Sequence, residues 1–216
     1  MAINSKNNGL VPQQAKGAKS DTCQSVDFKS KEEAISFYGI AKMRLQDVSN
    51  WHKLCGLVSA TFTMIDSSGN KIRRLIKEGD YIRIDIPGPG SKIGHGFDWV
   101  RIEAVTAHHD PIKDIDQIAL RVRPAKNPKE KVNGTAHFFK KDATSTFMVV
   151  REMNKVTAEI HGRNELPNIK QVVKMDSIRN TLIAIGAMIG LSKWQWSNLA
   201  KGIVSTDDNS NKIIIV

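Results

Sequence analysis

A change of hydrophobic period constrains this chain more than any other feature. From Leu57 onward, apolar residues fall at every second position in one segment after another: Val58, Ala60, Phe62 and Met64; Ile82, Ile84 and Ile86; Val100, Ile102 and Ala104; Ile118, Leu120 and Val122. Side chains two apart share one face of a strand, so each segment predicts a strand with one buried face. Thr144 to Arg151 and Lys155 to His161 continue the pattern around a Glu152-Met153-Asn154 connection that predicts a hairpin. Links this short, with no helical pattern between them, require antiparallel neighbours, because a parallel pair needs a crossover of about a dozen residues or more. The expectation is a sheet of six to seven antiparallel strands.

On either side of this block the period returns to 3.6. Ser30-Lys31-Glu32-Glu33 has the form of a capping box and opens a stripe of Ala34, Phe37, Tyr38, Ala41, Leu45 and Val48. A second short helical turn is predicted through Trp51, Leu54 and Cys55, ending at Gly56. After Pro167, with Asp176 or Ser177 as N-cap, Ile178, Leu182, Ile185 and Ile189 fall on one stripe. The apolar run from Leu182 to Leu191 is about half of the ~20 residues a membrane-spanning helix needs, so it reads as a buried core helix. Gly190-Leu191-Ser192 predicts a break, followed by a helix with Trp196, Leu199, Ala200 and Ile203 on its inner face. The fold class is therefore α+β: a curved antiparallel sheet packed on a C-terminal helix, with one or two short helices near the N-terminus.

The remaining segments set the domain limits. Residues 1–21 are polar, with too few large apolar side chains to offset their ordering entropy, and are expected to form a disordered tail. Residues 22–204 form the single domain. Residues 205–216 end in Ile213-Ile214-Ile215-Val216, which calls for an edge-strand partner or a contact between two copies, so a homodimer is one expectation. The N-terminus shows no secretory pattern, which with the absence of a membrane span predicts a cytoplasmic protein. Cys23 and Cys55 lack any disulfide or zinc spacing, and no metal or cofactor is expected. The 32 basic and 22 acidic residues leave a net charge of +10, which favours polyanions at long range. Nucleic acid is not favoured, because the basic stretch from Lys113 to Lys141 offers only Phe138 and Phe139 for stacking.

The element order of strand, two short helices, antiparallel strands and apolar C-terminal helix over Cys23 to Val204, with Trp51 ending the second short helix, resembles the helix-grip superfamily of START and Bet v 1-like domains. That resemblance implies a sheet curved around the last helix and a cavity between them for lipids, sterols, polyketides or other hydrophobic small molecules. It implies no catalytic residue, because function lives in the site and not in the fold.

Several side-chain groups are candidates for chemistry. The glycine-dense run Gly88 to Gly96 links two predicted strands, which suits a hairpin loop or a lid better than a phosphate cradle. His108-His109-Asp110 tempts a metal reading, but neighbours on a strand point to opposite faces. His161, Arg163 and Glu165 form the densest set of able side chains, an anion-binding guanidinium beside a His–Glu acid–base pair, at what reads as the end of the last strand. Trp51, Trp99, His137 and Asn164 are the candidate ligand-binding residues. The leading functional expectation is a binding or carrier domain for a hydrophobic small molecule, with an enclosed apolar pocket of a few hundred Å³. The alternatives are an enzyme acting on a small anionic substrate through His161, Arg163 and Glu165, and a polyanion-binding or assembly protein using the basic surface.

Overall fold

The computed structural model describes residues 9–56, 60–86, 94–131, 134–168 and 178–207, the side chains of 178–189 and 191 excepted. The Gly88–Ile93 part of the glycine-rich run, the expected N-cap at Asp176 or Ser177, the stripe through Leu182 and Ile189, and the Ile213–Val216 tail lie outside the described side chains or residues.

Seven strands form one antiparallel sheet: β1 (Ala18–Asp27), β2 (Thr61–Ile65), β3 (Tyr81–Asp85), β4 (Asp98–Asp110), β5 (Ile115–Pro124), β6 (Thr144–Glu152) and β7 (Lys155–Glu165). Their order is β1-β7-β6-β5-β4-β3-β2, a meander from β2 to β7 with the first strand added beside the last. The alternation sets which residues face inward. Phe62 and Met64, Ile82 and Ile84, Val100 and Ile102, Ile118 and Leu120, Phe147 and Val149, and Val156, Ala158 and Ile160 all belong to one buried core on the concave face.

Helix α1 (Lys31–Gln46) begins as the capping box predicts, with Ser30 Oγ accepting from the Glu33 amide, while the Glu33 carboxylate accepts from the Lys29 amide. Its buried stripe is Ala34, Phe37, Ala41 and Leu45. A short 3₁₀ turn (Val48–Asn50) leads into α2 (Trp51–Cys55). The last helix, α3 (Ile178–Ile203), runs through Gly190 without interruption, which corrects the expected break. Gly190 does not adopt the left-handed conformation that would end a helix, and a glycine inside a helix costs only about 1 kcal/mol against alanine. Among the described residues no helix is long and apolar enough to cross a membrane.

The C-terminal end of α3 is fastened to the N-terminal helices. Arg44 donates to the carbonyls of Gly202, Ile203 and Ser205 at 3.2, 2.9 and 2.7 Å, placing a cation where the helix leaves its last acceptors unsatisfied. Gly202 is required by close approach, since a Cβ there would lie 2.6 Å from the Leu54 carbonyl oxygen.

β1 starts at Ala18, inside the segment whose composition reads as tail. Leu10 and Val11 pack on Ala119, Met148 and Val150, which face outward from β5 and β6. Lys16 pairs with Asp142 at 2.6 Å. From residue 9 onward the N-terminal segment therefore covers part of the convex face.

Candidate functional site

The concave face meets α3 around a cavity of about 50 Å³. Its lining is dominated by Trp51, Phe62, Phe147 and Trp196, with Ile84 and Val100 from the sheet. Trp51 is fixed by two bonds from its indole N–H, to the carbonyls of Arg44 at 3.2 Å and Leu45 at 3.1 Å. Its ring packs against Phe147 at 4.7 Å and edge-on to Phe62 at 5.4 Å. Trp196 of α3 completes the cage, edge-on to Phe147 at 5.1 Å. The cavity is smaller than the few hundred Å³ expected from the sequence, because these aromatic rings pack on one another across it.

Polar groups are few. His137, Ser145, Ser192 and Gln195 line the cavity. His137 lies on the connection between β5 and β6, its ring stacked on Phe138 with centroids 4.4 Å apart. Burial pushes its pKa down to about 3, so the imidazole is neutral at physiological pH. Asp98 is a buried carboxyl that accepts from the amide of Phe138 at this end. It pairs with Ile84 across the β3–β4 ladder, and paired residues share a face, so Asp98 points to the concave side with Ile84 and Val100. Burial raises its pKa to about 7, and the Phe138 amide, donating at 3.4 Å, offsets that only in part.

The three residues of the expected acid–base group do not converge. All lie within β7 and not on a loop after it, which corrects the predicted strand end. His161 alternates with the inward Ile160 and so faces the convex side. There it sits between two carboxylates, Nδ1 2.6 Å from Asp21 and Nε2 2.9 Å from Glu159. Burial opposes its protonation, yet the bonds to Glu159 and Asp21 outweigh burial and hold the pKa above its ordinary value. Arg163 joins the same cluster, 2.7 Å from Asp21. The Asp21 carboxyl meets a burial penalty that the hydrogen bonds from His161 and Arg163 overcome, so its pKa is lowered.

Glu165 points the other way. Between Gly162 and Glu165 β7 advances three residues while β1 advances two, from Ser20 to Ala18, and Asn164 takes a φ of 57°. This bulge reverses the alternation and returns Glu165 to the side that Gly162 faces. A Cβ at Gly162 would collide with the Glu165 carboxylate and the Ser20 hydroxyl. Ser20 donates to Glu165 at 3.1 Å, and burial is the leading cause of a raised Glu165 pKa.

Two of the four ligand-binding candidates stand elsewhere. Trp99 has the opposite alternation to Asp98 and Val100, and packs on the outer face with Ile65 and Ala136. Asn164 holds the N-terminal segment, its side-chain oxygen accepting from the amides of Ala15 and Lys16 at 2.8 and 3.1 Å. Trp51 and His137 do line the cavity. Sequence reasoning missed Asp98 and Gln195. Asp98 was detectable, as a charged residue in phase with inward Val100 and Ile102; Gln195 carried no signal, because a single glutamine on a helix is ordinarily a surface residue.

The other candidates are accounted for locally. His109 pairs with Asp116 at 2.6 Å on the exposed end of the β4–β5 hairpin, and among the described residues no three His, Cys, Asp or Glu side chains gather as a metal site. Within the basic stretch, Glu103 binds both Arg121 and Arg123. Cys55 is buried, which pushes its thiol up to about 12, and Cys23 is exposed with a raised pKa.

No protein-family model matches the chain, and no curated protein matches it. Among solved structures it is similar to a hypothetical protein from Helicobacter pylori, with 12% identity, 84% of this chain and 86% of that one covered, and a TM-score of 0.41. It is similar to major latex-like protein 151 from Panax ginseng, with 15% identity, coverages of 82% and 99%, and a TM-score of 0.32. It is also similar to norcoclaurine synthase from Thalictrum flavum, with 9% identity, coverages of 80% and 87%, and a TM-score of 0.31.

Proposed function

We propose that the protein binds a small, mainly apolar molecule in the cavity between the concave face of the sheet and α3. The observation that carries this reading is the convergence of Trp51, Phe62, Phe147 and Trp196 on one cavity between the sheet and α3. Apolar walls with a few placed polar groups are the usual form of a small-molecule site. The volume of about 50 Å³ suits a compact molecule or one limb of a longer one. A water needs roughly 10–15 Å³ of such space, so the cavity has room for more than a single water. The acid–base alternative draws no support from His161, both of whose ring nitrogens are bonded to carboxylates.

Native mass spectrometry of the protein purified under non-denaturing conditions tests the proposal, with a co-purified small-molecule adduct as the expected result. Val100→Phe, which would fill the cavity from the sheet side, should lose that adduct and keep the wild-type circular dichroism. An adduct retained at wild-type level in folded Val100→Phe would show that the molecule sits elsewhere.

A further inference from the structure

Two of the polar residues at the cavity have one end committed to the main chain. The Phe139 amide donates to His137 Nδ1 at 3.0 Å, so Nδ1 presents a lone pair. A neutral imidazole carries one proton, which must then reside on Nε2. Gln195 is held in the same manner. The Ala60 amide donates to its Oε1 at 3.4 Å, which assigns the acceptor end to the main chain and leaves the two N–H donors of Nε2. Among the described residues neither Nε2 has a hydrogen-bond partner, and neither atom is one of the sealed, unpartnered polar atoms of the interior. Both residues line the cavity, so these are the donors they have left to offer there. The hydroxyls of Ser145 and Ser192 serve either role. Among the described residues no Lys, Arg, Asp or Glu lines the cavity, so an ionic ligand would meet no counter-charge from them.

We propose that the cavity selects an uncharged ligand by an acceptor oxygen of the carbonyl kind, a ketone, aldehyde or ester, which takes a hydrogen bond from His137 Nε2–H, with Gln195 supplying further N–H donors from α3. This rests on the small-molecule reading above and adds the polarity of the ligand to it. The backbone amides of Phe139 and Ala60 make the selection, because each consumes an acceptor and leaves donors facing the ligand. A ligand with only donors would leave these N–H groups unpaired, a loss that buried sites penalise heavily.

An isosteric pair matched to the small cavity tests the proposal on the full-length protein: acetone, with C=O, and isobutene, with C=CH₂ in its place. Binding is followed by NMR of the Trp51 and Trp196 indole signals and of the ¹⁵N-labelled histidine ring. Acetone should bind roughly tenfold more tightly, the worth of one good hydrogen bond. The His137 Nε2 resonance should move with the ketone and stay in place with the hydrocarbon. In His137→Phe the ratio should collapse toward one while isobutene still binds. If that variant does not fold, the wild-type ratio and the Nε2 resonance decide the matter. Equal affinities in the wild type overturn selection by an acceptor and leave apolar binding standing. Failure of both probes to perturb either tryptophan removes the small-molecule reading, and this proposal with it.

Discussion

His137 and His161 are shielded from solvent to a similar degree, 6% and 1% exposed, and are held by opposite means. His137 lies among aromatic rings with one main-chain donor, and burial keeps it neutral. His161 lies between Asp21 and Glu159, and its bonds to the two carboxylates raise its pKa against the same burial. Their contributions to stability consequently have opposite signs in pH. His137, with its folded pKa depressed, contributes above the ordinary histidine pKa of about 6.5 and loses that contribution as pH falls toward 3. His161, with its folded pKa raised, contributes below about 6.5 and loses it as pH rises through the folded value. Burial thus does not mark a functional histidine. What distinguishes the cavity region is a donor left uncommitted, whereas both ring nitrogens of His161 on the convex face are occupied.

The largest effect that would break this contrast is expected at Asp98, the carboxyl buried beside the His137 segment. Its folded pKa of about 7 lies above the ordinary carboxyl value, so it contributes most below about pH 4 and that contribution is lost as pH rises to 7. Asp98→Asn should be more stable than the wild type above pH 7, by up to roughly 4 kcal/mol, and should gain little at pH 4. Urea unfolding at the two pH values reads the difference. A gain that is the same at both would mean that a partner stabilises the charged form and that this end of the cavity is not uniformly hostile to charge.

Next in size is His161→Leu, which strands Glu159 and leaves Asp21 to Arg163 alone, and should cost about 3 kcal/mol at pH 6. The cost should shrink as pH rises through the folded pKa of His161, and binding at the cavity should be unchanged. A variant that unfolds normally and loses the ligand would join the two regions that the structure separates. The smallest expected effect is at Gly190. It lies inside α3 with open space around it, so Gly190→Ala should stabilise the protein by about 0.5–1 kcal/mol in thermal unfolding. A loss of stability there would restore the helix break that Gly190-Leu191-Ser192 suggests from sequence.

The sheet was legible because alternation is a strong signal, and the phase of Phe62, Ile84, Val100, Leu120 and Phe147 identifies the inward face correctly. The same phase sends Trp99 and His161 outward, where the structure places them. Glu165 was beyond such reasoning, since one residue in a positive-φ conformation reverses the alternation and Asn164 does not announce it. The aromatic cage was partly legible: Trp51 was singled out by its place at the end of a short helix, but its meeting with Trp196 is a tertiary fact. The spent and unspent ends of His137 and Gln195 were not legible at all, because the amides that decide them belong to the local backbone path around Phe139 and to the β2 approach at Ala60.

The position of β1 has a further consequence, for the order of assembly. Strands β2 to β7 pair with sequence neighbours across links of at most 19 residues, the longest lying between Pro124 and Thr144, but β1 must find β7, joining Asp21 to His161 across 140 residues. Loop closure over that length is entropically late, so the meander should condense first and β1 should dock afterward, with the His161 cluster as its latch. On a ribosome the strand made before the other six would then be the last of them to find its place. Until it does, the outward edge of β7 stands open to any other strand that arrives sooner.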